Sequence, residues 1–217
     1  MSLIAISCIL NAALAAGTTF RPPSVPLVAH DPYLSIWSPA DKLTDADTLH
    51  WTAKPHTLRS LVRIDGVPYR LMGAQPDTVA ALSQTGLEVL PTRTIYQFAC
   101  PEIQLTLTFT TPALPDDLDV LARPLTYITW DLRSADDNKH MVELYFDASS
   151  NLAVNSPDQA VTWSREQVPG LVVTRLGAER QPVLLARGDD RRIDWGYLYS
   201  AAPVGKETSK AAEAPPA

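Results

Sequence analysis

Hydrophobic and polar residues alternate with a period of two in many short stretches of this chain. The clearest stretch is EIQLTLTFT at residues 102–110, in which the apolar side chains are Ile103, Leu105, Leu107 and Phe109. Side chains that alternate along a strand point to opposite faces, so this stretch has one dry face and one wet face. Over the same part of the chain, no stretch keeps a helical period for a useful length. The pattern predicts a chain made of strands.

Further strands follow from the same pattern. In chain order, the predicted strands cover residues 58–64, 67–72, 94–99, 102–110, 125–132, 141–148, 161–165, 171–176 and 182–186. Asp65 and Gly66 separate the first two, and both tolerate the positive φ of a type I′ turn, which predicts a hairpin there. Residues 75–90 alternate only weakly and are predicted to form a non-strand insert. Many short strands between turns indicate a sandwich or a barrel, and we expect an all-β fold, a β-sandwich of short antiparallel strands.

The segment before the first predicted strand has another pattern. Prolines recur through residues 19–39, and each restricts the residue before it to extended conformations. Tyr33, Ile36 and Trp37 lie among these prolines, so we expect an extended proline-rich arm that buries large side chains against a neighbouring domain. The predicted boundaries are 17–57 for the extended N-terminal module, 58–203 for a β-sandwich module that we expect to be incomplete, and 204–217 for a linker-like tail.

The first residues have the pattern of an export signal. Residues 3–14 are apolar but too few to span a membrane as a helix, and Ala13-Leu14-Ala15 is a small-x-small cleavage pattern. We therefore predict a signal peptide over residues 1–16, a secreted or periplasmic protein, and no membrane attachment after signal removal. The alternatives are a mis-assigned start codon or a short buried N-terminal helix.

Composition and charge narrow the range of partners. The chain has 217 residues, of which 46% are hydrophobic and 19% charged, and this balance is typical of a globular protein. Its net charge is −6 and it contains no cluster of Lys and Arg, so we expect no nucleic-acid partner. Cys100 is the only cysteine outside the predicted signal, and a single cysteine cannot form an internal disulfide.

The sequence offers little support for a metal site or a nucleophile. Asp41, Asp45 and Asp47 have only part of the spacing of a calcium loop and lack its glycine and closing glutamate. No nucleophile elbow, phosphate loop or zinc-binding spacing of histidines occurs either. We therefore expect no cofactor and no metal, and we assign no catalytic residue. The four histidines, His30, His50, His56 and His140, are expected to have structural or surface roles.

The most distinctive run is GDDRRIDWGYLY at residues 188–199, where carboxylates and arginines lead into alternating aromatic residues. We interpret it as a charged turn feeding an aromatic strand, suited to ligand binding or interdomain docking. The alternative is a solvated turn that runs into an ordinary core strand. A third option is a hydrolytic carboxylate pair, for which Asp189, Asp190 and Asp147 are candidates, because such pairs meet in space rather than in sequence. The candidate binding or docking residues are Asp189, Asp190, Asp194, Trp195 and Tyr197.

Several ordered segments resemble one protein family. They are RPPSVPLVAHDPYLSIWSPADKL, HWTAK, IDGVPYRLMG, YFDASSNLAVNSPDQAVTW and GDDRRIDWGYLY, at residues 21–43, 50–54, 64–73, 145–163 and 188–199. Together they resemble the secreted glutaminase A-type proteins of bacteria and fungi. The resemblance implies a short N-terminal module and a β-sandwich module, followed by a large helical toroid as partner domain. It also implies that the toroid carries the hydrolysis of glutamine to glutamate and ammonia, and no catalytic residue of the family maps onto this chain.

Two functions from different classes are compatible with these observations. The first is the non-catalytic β-sandwich portion of a glutaminase-like amidohydrolase, expected here to be a truncated gene product without its toroid. The second is a free-standing secreted β-sandwich that binds a glycan or another small ligand through Trp and Tyr faces.

Overall fold

The computed structural model describes residues 21–205, and within them nearly all regular structure is β. The strands, in chain order, are β1 (Val25–Ala29), β2 (Ser35–Ser38), β3 (Leu58–Ile64), β4 (Val67–Met72), β5 (Ser83–Leu90), β6 (Arg93–Ala99), β7 (Ile103–Thr110), β8 (Tyr127–Ser134), β9 (Val142–Ala148), β10 (Val161–Val168), β11 (Leu171–Ala178) and β12 (Leu198–Pro203). A short helix, α1 (Leu118–Leu121), and a 3₁₀ turn (Ser150–Ala153) interrupt them. Neither is long or apolar enough to cross a membrane. The predicted signal peptide and most of the predicted tail lie outside the described residues.

Two sheets face each other across the hydrophobic core. One has the order β4-β3-β9 and the other β5-β6-β7-β8, and neighbouring strands in both are antiparallel. Leu107 and Phe109 of β7 lie in this core, on the face that the alternating pattern predicts. The Trp130 indole of β8 donates to Ser60 Oγ of β3 at 3.2 Å and packs edge-on against Phe146 of β9. The predicted all-β fold is confirmed, and we call these two layers the inner sandwich.

The proline-rich segment folds onto the inner sandwich. Strands β1 and β2 pair as an antiparallel hairpin, and the side chains of Val25 and Ile36 join the buried core. The Thr94 hydroxyl of β6 donates to the Pro26 carbonyl at 2.6 Å, which ties the hairpin to the four-stranded sheet. Proline is compatible with this position because β1 pairs only with β2 and is an edge strand.

The turn between β3 and β4 has the predicted geometry. Asp65 has a φ of 48° and Gly66 a φ of 88°, and a type I′ turn requires both values to be positive. A Cβ added at Gly66 would meet no atom within 4 Å, so the preference for glycine comes from the backbone conformation and not from crowding.

The prediction of a non-strand insert over residues 75–90 is wrong in its second half. Residues 83–90 form β5, which pairs with β6 through an irregularity in register between Gln84 and Gly86. β5 is the edge strand of its sheet, and Ser83, Thr85 and Glu88 are exposed whereas its other residues are half-buried. The bulge shifts which residues face the core, so the period of two changes phase within the strand.

The predicted strand at residues 182–186 is also wrong. These residues form a turn in which Leu184 has a φ of 56°. Pro182 cannot donate to a ladder, and Val183, Leu184 and Leu185 are exposed. A run of apolar residues therefore marks an uncovered surface here and not a buried strand.

A third sheet, β10-β11-β12, extends from the inner sandwich, and we call it the outer sheet. It touches the inner sandwich at Leu198, which packs partly against the core, and where β11 meets the 3₁₀ turn. β10 is exposed along most of its length and most of β11 is only half-buried. The outer sheet therefore leaves both of its faces largely open within the described residues.

Candidate functional site

The charged run at residues 188–192 lies on the loop at residues 50–54, far away in sequence. Lys54 Nζ lies 3.6 Å from Asp190 Oδ2. The Thr52 hydroxyl next to Asp190, and to a smaller extent the Lys54 charge, holds the pKa of that carboxyl below its usual value. Proximity of opposite charge and of a hydrogen-bond donor stabilises the ionised carboxylate. This contact, which we call the loop latch, joins the N-terminal module to the connection between β11 and β12.

A second set of bonds fixes the same run from behind. The Arg192 backbone N–H donates to Asn155 Oδ1 at 3.1 Å, and its guanidinium donates to the Asn155 carbonyl. Asp194 is buried and accepts a hydrogen bond from Gln159 Nε2 at 3.1 Å. Gln159 Oε1 accepts in turn from the Asn155 N–H at 2.6 Å. Arg192 and Asp194 are therefore used inside the fold, since buried charges need partners of this kind.

The predicted aromatic strand is shorter than its sequence pattern indicates. β12 begins at Leu198, so Trp195 and Tyr197 lie before it and only Tyr199 lies on it. Gly196, with a φ of 77°, interrupts the extended run, and its N–H donates to Gln181 Oε1 at 2.6 Å. Trp195 is half-buried, whereas Tyr197 and Tyr199 are exposed.

Tyr197 nevertheless packs against the outer sheet. Its ring covers Gly177 of β11 so closely that a Cβ there would lie 2.5 Å from Tyr197 Cδ1. The Arg175 guanidinium lies 4.6 Å from the centre of the same ring, within the range of a cation–π contact. The rings of Tyr197 and Tyr199 meet edge-on at 6.5 Å. Both tyrosines therefore lie on one face of the outer sheet, and their docking role stays a prediction.

Two histidines lie under the loop latch. The rings of His50 and His56 are 4.7 Å apart, and both are buried. Burial lowers the pKa of His56 to about 4, with a smaller contribution from the neighbouring His50, and burial also lowers the pKa of His50. His50 Nε2 lies 2.9 Å from the Pro32 carbonyl and His56 Nδ1 lies 3.1 Å from the Ser35 carbonyl. A carbonyl only accepts, so these nitrogens donate and neutral rings hold the loops in place.

Two of the carboxylates weighed for a metal or a hydrolytic pair, Asp47 and Asp147, lie near the same arginine, Arg59. Asp47 accepts from the Ala74 N–H at 2.9 Å and pairs with Arg59 at 3.5 Å. Asp147 faces the same Arg59 from the neighbouring strand, and burial raises the pKa of its carboxyl. Within residues 21–205, no group of three or more His, Cys, Asp or Glu side chains could hold a metal ion.

An open groove of about 410 Å³ adjoins the loop latch. The aromatic side chains of Tyr33 and Trp51, which are 42% and 54% exposed, line it together with Asp189 and Arg191. Trp51 is held by a hydrogen bond from Nε1 to the Pro32 carbonyl at 2.7 Å. Asp189 thus places a carboxylate beside an aromatic surface. The other predicted site residues do not line this groove.

A further polar cluster was missed by sequence reasoning. His140 Nδ1 lies 2.6 Å from Asp65 Oδ2, and His140 Nε2 lies 2.8 Å from Asp136 Oδ1. The two carboxylates, Asp136 more than Asp65, raise the pKa of His140 to about 8. The imidazolium in turn holds the pKa values of both carboxyls below their usual range. The spacing of four between Asp136 and His140 was a weak signal, whereas Asp65 joins them only through the β3–β4 turn.

Comparison with known proteins identifies the family to which this chain belongs. Families described as domains of unknown function match residues 5–83 (DUF4964) and residues 92–215 (DUF5127). The chain is 27% identical over 197 residues to glutaminase A of Aspergillus oryzae, and the match covers 86% of this chain and 28% of that protein. It belongs to the DUF5127, glutaminase A-type family. It is also 22% identical over 228 residues to a probable glutaminase of Arthroderma benhamiae, with 93% of this chain and 25% of that protein covered.

The chain spans about a quarter of the length of these two relatives. No solved structure matches it. In this glutaminase A-type chain, the loop latch connects the two matched segments, because Lys54 lies in residues 5–83 and Asp190 in residues 92–215. The groove is shared in the same way, with Tyr33 and Trp51 from the first segment and Asp189 from the second.

Proposed function

We propose that this chain is the non-catalytic β-sandwich portion of a secreted glutaminase-like amidohydrolase, which converts glutamine to glutamate and ammonia in a separate helical domain. The two relatives are named glutaminases, and each has about three quarters of its length outside the region it shares with this chain. The role of this portion is to support and orient the helical domain. Export follows the signal pattern of residues 1–16.

The observation that carries the proposal is the open aromatic face of the outer sheet. Tyr197 and Tyr199 project from the side of β11 that also carries Arg175, and Val168 and Leu171 are exposed at the far end of the sheet. Tyrosine and arginine are enriched in protein interfaces because they combine large contact area with polar groups. A monomer that leaves such a face wet would be prone to association, and a covering domain would remove that exposure.

The polar clusters support a structural role. His50 and His56 donate hydrogen bonds to backbone carbonyls near the loop latch. Arg192 and Asp194 are hydrogen-bonded to Asn155 and Gln159 of the loop before β10. His140 is occupied on both nitrogens by carboxylates. Most polar atoms of these groups are already bonded within the protein, although His56 Nε2 and Arg192 Nε are buried without a partner in the described residues. Groups engaged in this way support a scaffold more than a reactive centre.

The test of the proposal is an ammonia-coupled assay on the purified 217-residue chain at high concentration with glutamine as substrate. We expect no ammonia above the level of a matched blank. Turnover that co-purifies with the chain and disappears in Asp189→Asn or Asp190→Asn would show that the chain has its own catalytic carboxylates. A melting curve of each variant distinguishes lost chemistry from lost folding.

Export is tested separately by N-terminal sequencing of the protein recovered from the growth medium or periplasm. We expect a mature protein that starts near residue 17. Recovery of intact Met1 in the cytoplasm would contradict the secreted part of the proposal and leave the scaffold part untouched.

A further inference from the structure

The charged run divides its side chains between two tasks. Asp190 and Arg192 point to protein partners, namely the loop at residues 50–54 and Asn155. Asp189 and Arg191, which alternate with them, line the groove instead. Within residues 21–205, the Asp189 carboxylate has no hydrogen bond or ion pair. The contacts of Asp190 and Arg192 therefore fix the backbone that presents Asp189 and Arg191 to the groove.

The aromatic part of the groove lining is also held in place. The Asp31 carboxylate accepts from the backbone N–H groups of Tyr33 and Leu34 at 2.7 and 3.0 Å, which sets the backbone that carries the Tyr33 ring. Trp51 donates its indole N–H to the Pro32 carbonyl, so its ring face and not its polar edge is left for a ligand. Arg191 is held by a bond from Nε to the Gly188 carbonyl at 2.7 Å.

We propose that this groove is a saccharide-binding site in which a sugar ring lies against Trp51 and Tyr33 and its hydroxyls bind Asp189 and Arg191. A pyranose has an apolar C–H face and a rim of hydroxyls, which matches a wall of aromatic rings beside a carboxylate acceptor and a guanidinium donor. The volume of about 410 Å³ is within the range of small-ligand sites, which occur preferentially where two modules meet.

The charges of the groove and of the whole chain favour a neutral ligand. Asp189 and Arg191 carry opposite charges, so the groove has no net preference for an ionic group of either sign. The net charge of −6 disfavours polyanions such as nucleic acids and sulfated polymers. A free amino acid could in principle pair its two ends with the same two side chains, and the test therefore includes one.

The experiment titrates the full chain with cellotetraose and with chitotetraose, and separately with glutamine, by isothermal calorimetry and tryptophan fluorescence. We expect saturable binding of at least one oligosaccharide, a loss of affinity of about tenfold or more in Trp51→Ala, and a similar loss in Asp189→Ala. Trp51→Phe should retain most of the affinity, because it keeps an aromatic face. Asp189→Ala should leave the melting temperature unchanged, since this side chain is exposed. Trp51→Ala and Trp51→Phe both lose the indole hydrogen bond to the Pro32 carbonyl, so the difference in affinity between them reports the aromatic face.

The matched control is Trp163→Ala. Trp163 is 56% exposed, almost the same as Trp51, but lies on β10 of the outer sheet. It should leave oligosaccharide binding unchanged. The proposal is overturned by the absence of saturable binding of either oligosaccharide at millimolar concentration, by equal losses in Trp51→Ala and Trp163→Ala, or by binding of glutamine alone. None of these outcomes bears on ammonia release, so the saccharide site and the scaffold role fail or stand separately.

Discussion

The inner sandwich and the outer sheet are built from strands with similar sequence patterns but have different surroundings. In β7 of the inner sandwich, every apolar side chain of the alternating pattern is buried, and Phe109 is 1% exposed. In the outer sheet, Tyr199 is 57% exposed, although it also belongs to an alternating apolar and polar run. The difference shows that alternation reports the strand conformation, whereas the presence of a covering layer decides whether a strand face is core or surface.

The loop latch joins the N-terminal module, which folds onto the inner sandwich, to the connection between β11 and β12 of the outer sheet. Lys54 and Asp190 form an exposed ion pair, which contributes little by itself because water screens it. The hydrogen bonds of Arg192 and Asp194 are less screened than this ion pair, because both residues are buried.

Phe109→Ala should have the largest effect. The substitution removes a ring from the centre of the inner sandwich, where it also meets Tyr96 edge-on, and it should lower the free energy of unfolding by about 3–5 kcal/mol. Denaturant unfolding followed by fluorescence measures this. Phe109→Leu is the matched control and should lose distinctly less. A loss below about 1 kcal/mol in Phe109→Ala would mean that the inner sandwich is not the stabilising core.

Gly66→Val should destabilise the chain by about 1 kcal/mol or more. A β-branched residue resists the positive φ of the type I′ turn, and the strain falls on the hairpin that begins the inner sandwich. The midpoint of chemical denaturation measures the change. Gly66→Asn is the control, because asparagine tolerates positive φ better than other residues. Equal midpoints for wild type and Gly66→Val would contradict the turn assignment.

His140→Gln should remove a pH-dependent part of the stability of the inner sandwich. The folded pKa of His140 is raised to about 8, so its contribution is fully present below the unfolded value of 6.5 and is lost as pH rises through 8. The carboxyl pKa values of Asp65 and Asp136 are lowered, so their contribution is lost as pH falls below the usual carboxyl range. The interaction of His140 with the two carboxylates therefore stabilises the fold mainly from the usual carboxyl range up to about pH 8.

Melting temperatures of wild type and His140→Gln at pH 6 and pH 9 measure this effect. We expect the wild type to be the more stable at pH 6 and the difference to vanish at pH 9. His30→Gln is the histidine control, because burial lowers the pKa of His30 and its protonation should destabilise the fold at acid pH. A difference between wild type and His140→Gln that persists unchanged at pH 9 would rule out the charged interaction.

Tyr199→Ser should have the smallest effect on stability and a clear effect on association. The side chain lies on the open face of the outer sheet, so the free energy of unfolding should change by only about 0.5 kcal/mol. Light scattering at increasing concentration should show less self-association than in the wild type. A loss of several kcal/mol would instead place Tyr199 in a core, and unchanged scattering would remove the argument for a docking face.

The sequence alone determined most of the strands of the inner sandwich and the β3–β4 turn. EIQLTLTFT predicted β7 because period-two alternation is a local property of neighbouring residues. Asp65 and Gly66 predicted their turn because tolerance of positive φ is also a property of single residues. The edge strand β5 was not predicted because its bulge shifts the phase of the alternation within the strand. The leucines near residue 184 misled because apolar composition does not show whether a surface is covered.

Only the tertiary structure decided which members of the charged run serve the fold and which are free. Asp189 and Asp190 are adjacent and chemically identical, yet one lines a groove and the other contacts Lys54. Likewise, His140 acquired one of its two charge partners, Asp65, from a turn that lies 75 residues away, whereas Asp136 lies four residues before it. Charge interactions depend on distance and on exposure to water, and for groups far apart in sequence both are set by packing.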